Sequence, residues 1–516
     1  MYKRICDKLN LPNWATGAFK KQMILDMLLE GEIYDHLQYD FTQETRENDE
    51  YIPILERRPS YRFNLYKMVS LQLARKLFGG RHNPRIEHDD QKVADSIKAL
   101  CEEADLESIM MQAAAWGSVG AVAVTFKYID AGKNNPKLVA ETHKARYCVP
   151  VFDAFKELKI LRINYLTEGT HFLHRGQKQD IKGDEIDEKK QYWYICDHTI
   201  NEEIIYTPIL SADWNPTLFY SDKLKPEIVN EHKLGFVQAQ WFINLSGGDF
   251  PYGACTWEPA VDNIIMLDYT MSQLGAGVWY NSAPQVMIRG EPANYEYKDG
   301  KVIIRGPSRV IQLPVKDKQE DMEKGEGDAK LLEMTGQGTE VGMRYCEHLK
   351  KDALEQISAS RKDPEKMTTA MSGKGMEVLE QEYTDLGQEL RTQYGSRGYL
   401  KLIKKMAAAG KKVKHKLLEN VSEKQADGIR LRWPAFHGLS AQEFQAIITG
   451  LADGVEKLII TADEGKAYLE AQADMPFTSA NKAYAKGLET PETEHDNPPK
   501  AGNNTDSNTE DTVNVG

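Results

Sequence analysis

Five ligand-type side chains crowd one stretch of this sequence: His82, Glu87, His88, Asp89 and Asp90. Imidazoles and carboxylates can hold a divalent metal, but metal sites depend on spacing as well as residue type. No His-x-x-x-His pair occurs, and Asp89 has an adequate task as the cap of a following helix. Two Cys/His pairs, Cys196/His198 and Cys346/His348, carry the same chemistry. Residues i and i+2 share a face of a strand, yet no four-ligand set closes around either pair. No structural zinc and no other cofactor is therefore expected. Carboxylates are abundant without a recognisable pairing. No G-x-S-x-G or H-E-x-x-H setting appears, so the chain is not expected to be an enzyme.

Two glycine-bearing stretches invite a nucleotide reading and fail it. Gly336-Gln-Gly338-Thr-Glu-Val-Gly342 has the wrong spacing for G-x-G-x-x-G and follows an acidic loop, not a strand. It reads as a turn and helix start. Ser372-Gly-Lys-Gly375 resembles half of a phosphate loop, but the pattern needs Gly at 368 and a hydroxyl at 375. The chain has Thr368 and Gly375. Ser372 or Gly373 reads instead as a helix cap.

Cations concentrate in one place. Between Glu389 and Glu419 there is no acid, and nine Lys or Arg: Arg391, Arg397, Lys401, Lys404, Lys405, Lys411, Lys412, Lys414 and Lys416. The run reads either as a solvated helix end that complements the helix dipole or as a seam to an acidic neighbour or to phosphates. In the loop 358–373, Arg361, Lys362 and Lys366 are balanced by Asp363 and Glu365, which by itself suits a solvated linker.

The whole chain is acidic, with net charge -13 over 516 residues, which disfavours tight static binding of nucleic acid. Its length allows two to four domains. Hydrophobic residues make up 41%, enough to bury cores, and mean hydropathy is -0.55. No run of about 18 apolar residues is present, so no membrane span is expected. Nothing at the N-terminus has the apolar segment of a signal peptide, so the chain is expected to stay where it is made. The six cysteines form no short Cys-x-x-Cys pair and are expected to be reduced and mostly buried.

Periodicity supplies the elements. Helices are expected at 20–29, 60–78, 89–101, 105–116, 261–278, 337–357 and 374–409, with short ones at 444–451 and 464–473. Asp89 and Asp105 are the expected caps of two of them. Strands are expected at 119–128, 159–165, 191–197, 203–206, 237–243, 285–289 and 301–313, with Asp299-Gly300 as a hairpin-type turn before the last. Ile264, Leu267, Met271, Leu274 and Val278 form one heptad stripe, and only Asp262 and Asp268 are charged in that helix. It is expected to touch neighbours on more than one side. Val341, Tyr345, Leu349, Ala353 and Ile357 form the apolar face of 337–357. At 1.5 Å per residue that helix is roughly 30 Å long and 374–409 about 50 Å, with Gly387, Gly395 and Gly398 as points of bending. From 488 to 516 there are seven acids, one Lys and almost no large apolar residue, the composition of a disordered tail.

This order of elements resembles that of tailed-bacteriophage portal proteins, the head-to-tail connector family, over roughly residues 60–480. Ala115-Trp-Gly-Ser-Val-Gly-Ala-Val-Ala-Val-Thr-Phe-Lys-Tyr128 looks like their helix-to-strand step. Leu234-Gly-Phe-Val-Gln-Ala-Gln-Trp-Phe-Ile-Asn244 is similar to the strand before their stem. Val261-Asp-Asn-Ile-Ile-Met-Leu-Asp-Tyr-Thr-Met-Ser-Gln-Leu274 resembles their first stem helix. Ser372-Gly373 fits the start of their long helix. The resemblance implies an α+β, portal-like fold: an α+β wing over 1–257, a first stem helix over 258–283 and a small β-containing clip over 284–335. A second stem helix over 336–357, a tunnel loop over 358–373 and a long wing helix with its return over 374–435 follow. A helical crown over 436–487 and a disordered acidic tail over 488–516 complete it. The 1–57 segment and the tail have no clear counterpart, and the clip is short.

What the resemblance implies about function is a non-enzymatic, dodecameric ring at one capsid vertex of a virion, assembled in the host cytoplasm. The ring conducts the genome during packaging and ejection. Its partners would be other copies of itself, the terminase large subunit, the head-tail adaptor, the major capsid and scaffolding proteins, and double-stranded DNA that passes without tight binding. Arg361, Lys362 and Lys366 would make transient phosphate contacts. Gln285, Arg289, Lys301, Arg305 and Arg309 would lie on the docking surface for terminase and adaptor. Ile264, Leu267, Met271, Leu274, Val278, Val341, Tyr345 and Leu349 would pack the stem. Two rival readings stand beside it: a metal- or nucleotide-dependent enzyme, and a monomeric nucleic-acid-binding module using the 391–416 basic run.

Overall fold

The sequence Ala121-Val-Ala-Val-Thr-Phe126 alternates small and large apolar residues, and its strand is buried on both faces. The computed structural model describes residues 2–6, 17–48, 50–130, 136–213, 224–248, 250–282, 285–289, 297–298, 301–302, 311–313, 328–332, 337–357, 381–419, 421–436, 441–457, 459 and 461. The fold is mixed α and β, in two units, Met1–His437 and Gly438–Gly516.

The strand named above is β1 (Ala121–Asp130). It is central in a three-stranded antiparallel sheet between β2 (Pro136–Lys144) and, on its other edge, a strand from residues 239–243. A second antiparallel sheet is built from β3 (Cys148–Phe152), β4 (Leu158–Glu168), β5 (Gln191–His198), β6 (Glu202–Tyr206) and β7 (Pro226–Glu231), paired in sequence order. The edge strand of the first sheet is β8 (Ala239–Ile243), with Trp241 opposite Ala123. Ala121 and Ala123 face a core shared with Leu161, Ile163 and Trp241. Val122, Val124 and Phe126 face the helical core. Small side chains thus meet the second sheet, and large ones meet the helices.

After a five-residue helix (Tyr2–Cys6), four longer helices precede β1: α1 (Gly17–Glu30), α2 (Leu65–Phe78), α3 (Gln91–Glu103) and α4 (Leu106–Gly117). α2 starts five residues later than its periodicity suggests, because Asn64 caps it and accepts from the Lys67 amide at 3.3 Å. The cap of α3 is Asp90, not Asp89; its carboxylate accepts from the Lys92 amide at 3.0 Å. Asp105 does precede α4, but in a left-handed conformation with no side-chain capping bond. α1 is held to the end of β2 by ion pairs of buried Asp26 with Arg146 (2.8 Å) and Lys144 (3.5 Å).

Next come α5 (Val261–Ser282) and α6 (Gln337–Gln356). Between them lie β9 (Gln285–Arg289), β10 (Ile311–Leu313) and β11 (Asp328–Leu332). β9 pairs in parallel with β10 and antiparallel with β11. The single run expected over 301–313 is therefore two strands. Lys301–Val302 pairs with Tyr297–Lys298, and β10 belongs to another sheet; Asp299 and Gly300 lie outside the described residues. β11 was not expected, since its residues close an acidic, loop-like stretch.

The long helix is described from Gln381: α7 (Gln381–Arg391), a π-helical stretch (Thr392–Tyr399) and α8 (Leu400–Lys412). Gly395 and Gly398 lie in the π-helical stretch because rings lie against them. A Cβ on Gly398 would stand 2.4 Å from Phe242 Cδ1, and one on Gly395 2.9 Å from Trp433 Cζ2. Phe242 in turn stacks on Tyr394 at 5.9 Å. In the second unit, α9 (Ala441–Glu456) contains and extends the helix expected at 444–451. The segments 358–373, 464–473 and 488–516 lie outside the described residues.

None of the six cysteines forms a disulfide, and all but Cys6 are buried. Among the described residues no helix is long and apolar enough to cross a membrane. Gly398→Ala is expected to destabilise the chain by about 1–3 kcal/mol, because Phe242 on β8 must move. Urea unfolding of the full chain, followed by circular dichroism, measures the shift.

Candidate functional site: the α5–α6 helix pair

α5 begins in the core and ends outside it. Ile264 and Leu267 are buried, Met271 and Leu274 are half-buried, and Val278 is 51% exposed. The expected heptad stripe is therefore one gradient and not one uniform contact. Toward its start α5 is buried on more than one side, as its low charge suggests. Ile265, Asp268, Tyr269 and Ser272 are buried as well.

α6 runs antiparallel beside it. Ala353 and Ile357 join the main core, Cys346 and Leu349 meet Leu267, and Leu274 lies against Gly342. The inward face of α6 is thus Gly342, Cys346, Leu349, Ala353 and Ile357. Val341 (67% exposed) and Tyr345 (44% exposed) do not belong to it, which corrects the stripe drawn through them. The reason is Gly342. A Cβ there would fall 2.4 Å from Leu274 Cδ2, so Gly342 faces α5 at this end in place of Val341, while Leu349, Ala353 and Ile357 of the stripe keep their inward positions.

The result is a concentration of exposed apolar side chains at the end of the pair away from the core. Val278 and Trp279 on α5, and Val341, Met343 and Tyr345 on α6, are each 44–67% exposed. Exposed apolar groups gathered in this way mark an interaction surface more often than scattered single ones do.

The core end is anchored by buried polar groups. Asp268 accepts from the Tyr34 hydroxyl and from the Phe63 amide, both at 2.8 Å. Ser272 Oγ accepts from the Tyr61 amide at 2.9 Å and donates to the Asp268 carbonyl at 2.8 Å. The extended 61–63 segment thus satisfies its amides on side chains of α5. Lys350 Nζ sits 4.3 Å from the centre of the Phe63 ring, tying α6 to the same segment. Burial pushes the Asp268 carboxyl up to about 6.

The other sequence candidates fall as follows. Gln285 and Arg289 end β9, and Lys301 lies in the two-residue strand that pairs with Tyr297–Lys298. Arg305, Arg309, Arg361, Lys362 and Lys366 lie outside the described residues. In the His82 to Asp90 stretch, His88 Nδ1 accepts from the Asp90 amide at 2.8 Å while Asp90 caps α3. Those two side chains have local structural tasks. Cys346 is buried while His348 is exposed and pairs with Asp352 at 3.4 Å. Cys196 and His198 do come together, with Sγ and Nε2 3.7 Å apart.

Much of the basic run is engaged internally. Arg391 lies over the Phe436 ring at 3.4 Å, Lys401 pairs with Glu157, and Lys404 donates to the Asp427 carbonyl. Lys405 donates to the Ala239 carbonyl and Lys412 to the carbonyls of Lys233 and Leu234. Arg397, Lys401, Lys412, Lys414 and Lys416 are nonetheless exposed, so the run is part anchored seam and part solvated surface.

No family model and no curated protein matches the chain. Asp268 gives a testable pH dependence. Its carboxyl is raised in the folded state, so its contribution to stability is fully present below the ordinary Asp range and is lost as pH rises through about 6. Asp268→Asn is expected to remove that component, on the order of 2–3 kcal/mol. Urea midpoints of both proteins between pH 4 and pH 7.5 measure it.

Proposed function

We propose that this chain is a portal-type subunit: a ring-forming, DNA-conducting protein of a tailed-phage capsid vertex, with α5 and α6 bordering the channel. The observation that carries the reading is the exposed apolar end of the helix pair. A monomer gains nothing from holding Val278, Val341 and Met343 in water, whereas lateral contact between copies would bury them. The order of parts supports it: an α+β body, an outgoing helix, a small β module, a returning helix, an intervening segment and a long helix.

In this reading the assembly is a dodecamer. The β module, with Gln285, Arg289, Lys301, Arg305 and Arg309, receives the terminase large subunit and the head-tail adaptor. Residues 358–373 meet DNA through Arg361, Lys362 and Lys366. The overall charge of -13 lets the polymer pass without adhering. Capsid and scaffolding proteins contact the outer surface, and the subunit does no chemistry itself.

Mass photometry and negative-stain imaging of the full chain test this. Rings with an axial hole are expected, and a species that stays monomeric or dimeric at high concentration overturns the reading. The double variant Val341→Glu with Met343→Glu is expected to abolish rings while changing monomer stability by less than about 0.5 kcal/mol per site, since both positions are exposed.

A further inference from the structure

The hairpin between β5 and β6 gathers three donors that the linear sequence separates. Cys196 and His198 lie on one face of β5, two residues apart. The register then places Glu203 of β6 directly opposite His198. Thr199 fixes that register: its hydroxyl donates to the Glu202 carbonyl at 3.0 Å and accepts from the Glu202 amide at 3.1 Å. Cys196 Sγ stands 3.7 Å from His198 Nε2 and 3.9 Å from Glu203 Oε1, and one donor atom from each residue lies within 4.8 Å of the others.

Tetrahedral zinc with ordinary bond lengths places a sulfur and a nitrogen ligand about 3.5 Å apart. The observed separations are within a few tenths of an ångström of that. Two further observations point to a ligand. The three side chains border a cavity of about 30 Å³, room for an ion, whose wall also includes His143. His198 is 93% buried, and its Nε2 is turned to the Cys196 sulfur, so a polar ligand atom is held within the cavity wall. Glu203 is only partly buried, which leaves a route in from solvent.

We propose that Cys196, His198 and Glu203 form a zinc site, with the fourth position taken by water. One thiolate, one imidazole and one carboxylate suit zinc better than calcium or magnesium, which favour all-oxygen sets. The orienting contact is present: Asn230 Nδ2 donates to the second Glu203 oxygen at 3.1 Å. Binding forms a metal–sulfur bond and releases the Cys196 thiol proton to solvent, and the two anionic donors neutralise the ion. Lys127 and Arg175 also border the cavity, and Glu141 beside them offsets their charge in part. The ion would clamp β5 to β6. This inference does not depend on ring assembly.

Metal-stripped full-length protein is titrated with Zn²⁺ and, separately, with Co²⁺, whose near-ultraviolet band reports a sulfur ligand. About one equivalent of zinc per chain, a sulfur-to-cobalt band and a raised thermal midpoint are expected. Cys196→Ser is expected to lose the band, and Glu203→Gln to weaken zinc binding by about tenfold or more. A wild-type chain that retains no zinc after dialysis, or a band that survives Cys196→Ser, overturns the proposal. Should Cys196→Ser fail to fold, Glu203→Gln decides, and unchanged affinity in that variant overturns it.

Discussion

Burial of β1 on both faces is the constraint from which the rest of the body follows. A strand with no solvent face needs two covering layers, and its sequence specifies which is which. Ala121 and Ala123 leave room for Trp241 and the second sheet, while Val122, Val124 and Phe126 receive the helices. β8, as the partner of β1, inherits both layers. Phe242 therefore points to the side where Tyr394 and the π-helical stretch cross it. The wide turn at Thr392–Tyr399 is the backbone's accommodation to rings that stand too close for an ordinary side chain.

The α5–α6 pair is a projection from that body. Its inner half is part of the common core and is fixed by Asp268 and Ser272, which take over the amides of a segment that is neither helix nor strand. Its outer half has a narrow contact through Gly342 and Leu274 and leaves aromatic and aliphatic groups in water. One pair of helices thus combines rigid attachment with an unfinished surface, which is the combination that assembly by lateral contact requires.

Much of this was legible from residue order. Amphipathic spacing located the longer helices of the first unit but not the short ones at Tyr2–Cys6, Gly169–His174 and Glu423–Asp427, and β-branched runs located β1, β4, β5 and β8. What escaped has common causes. The cap of α3 lay one residue from the expected position, because the choice between Asp89 and Asp90 is made by backbone geometry. The expected face of α6 holds at Leu349, Ala353 and Ile357 but not at Val341 and Tyr345, because glycine scores as a turn former whereas Gly342 is a contact residue. Glu203 was missed because only hairpin register brings it to His198. The tyrosine and amide partners of Asp268 come from residues more than 200 positions away, beyond any local pattern.

Lysines join α8 to the rest of the body. Lys404, Lys405 and Lys412 meet main-chain carbonyls, and only Lys401 meets a carboxylate. Counter-ions screen attraction between two full charges but act far less on an ammonium held 2.8 Å from a carbonyl dipole. The seam joining α8 to β8 and to the chain around Lys233 should therefore hold in concentrated electrolyte that would loosen an ordinary surface ion pair.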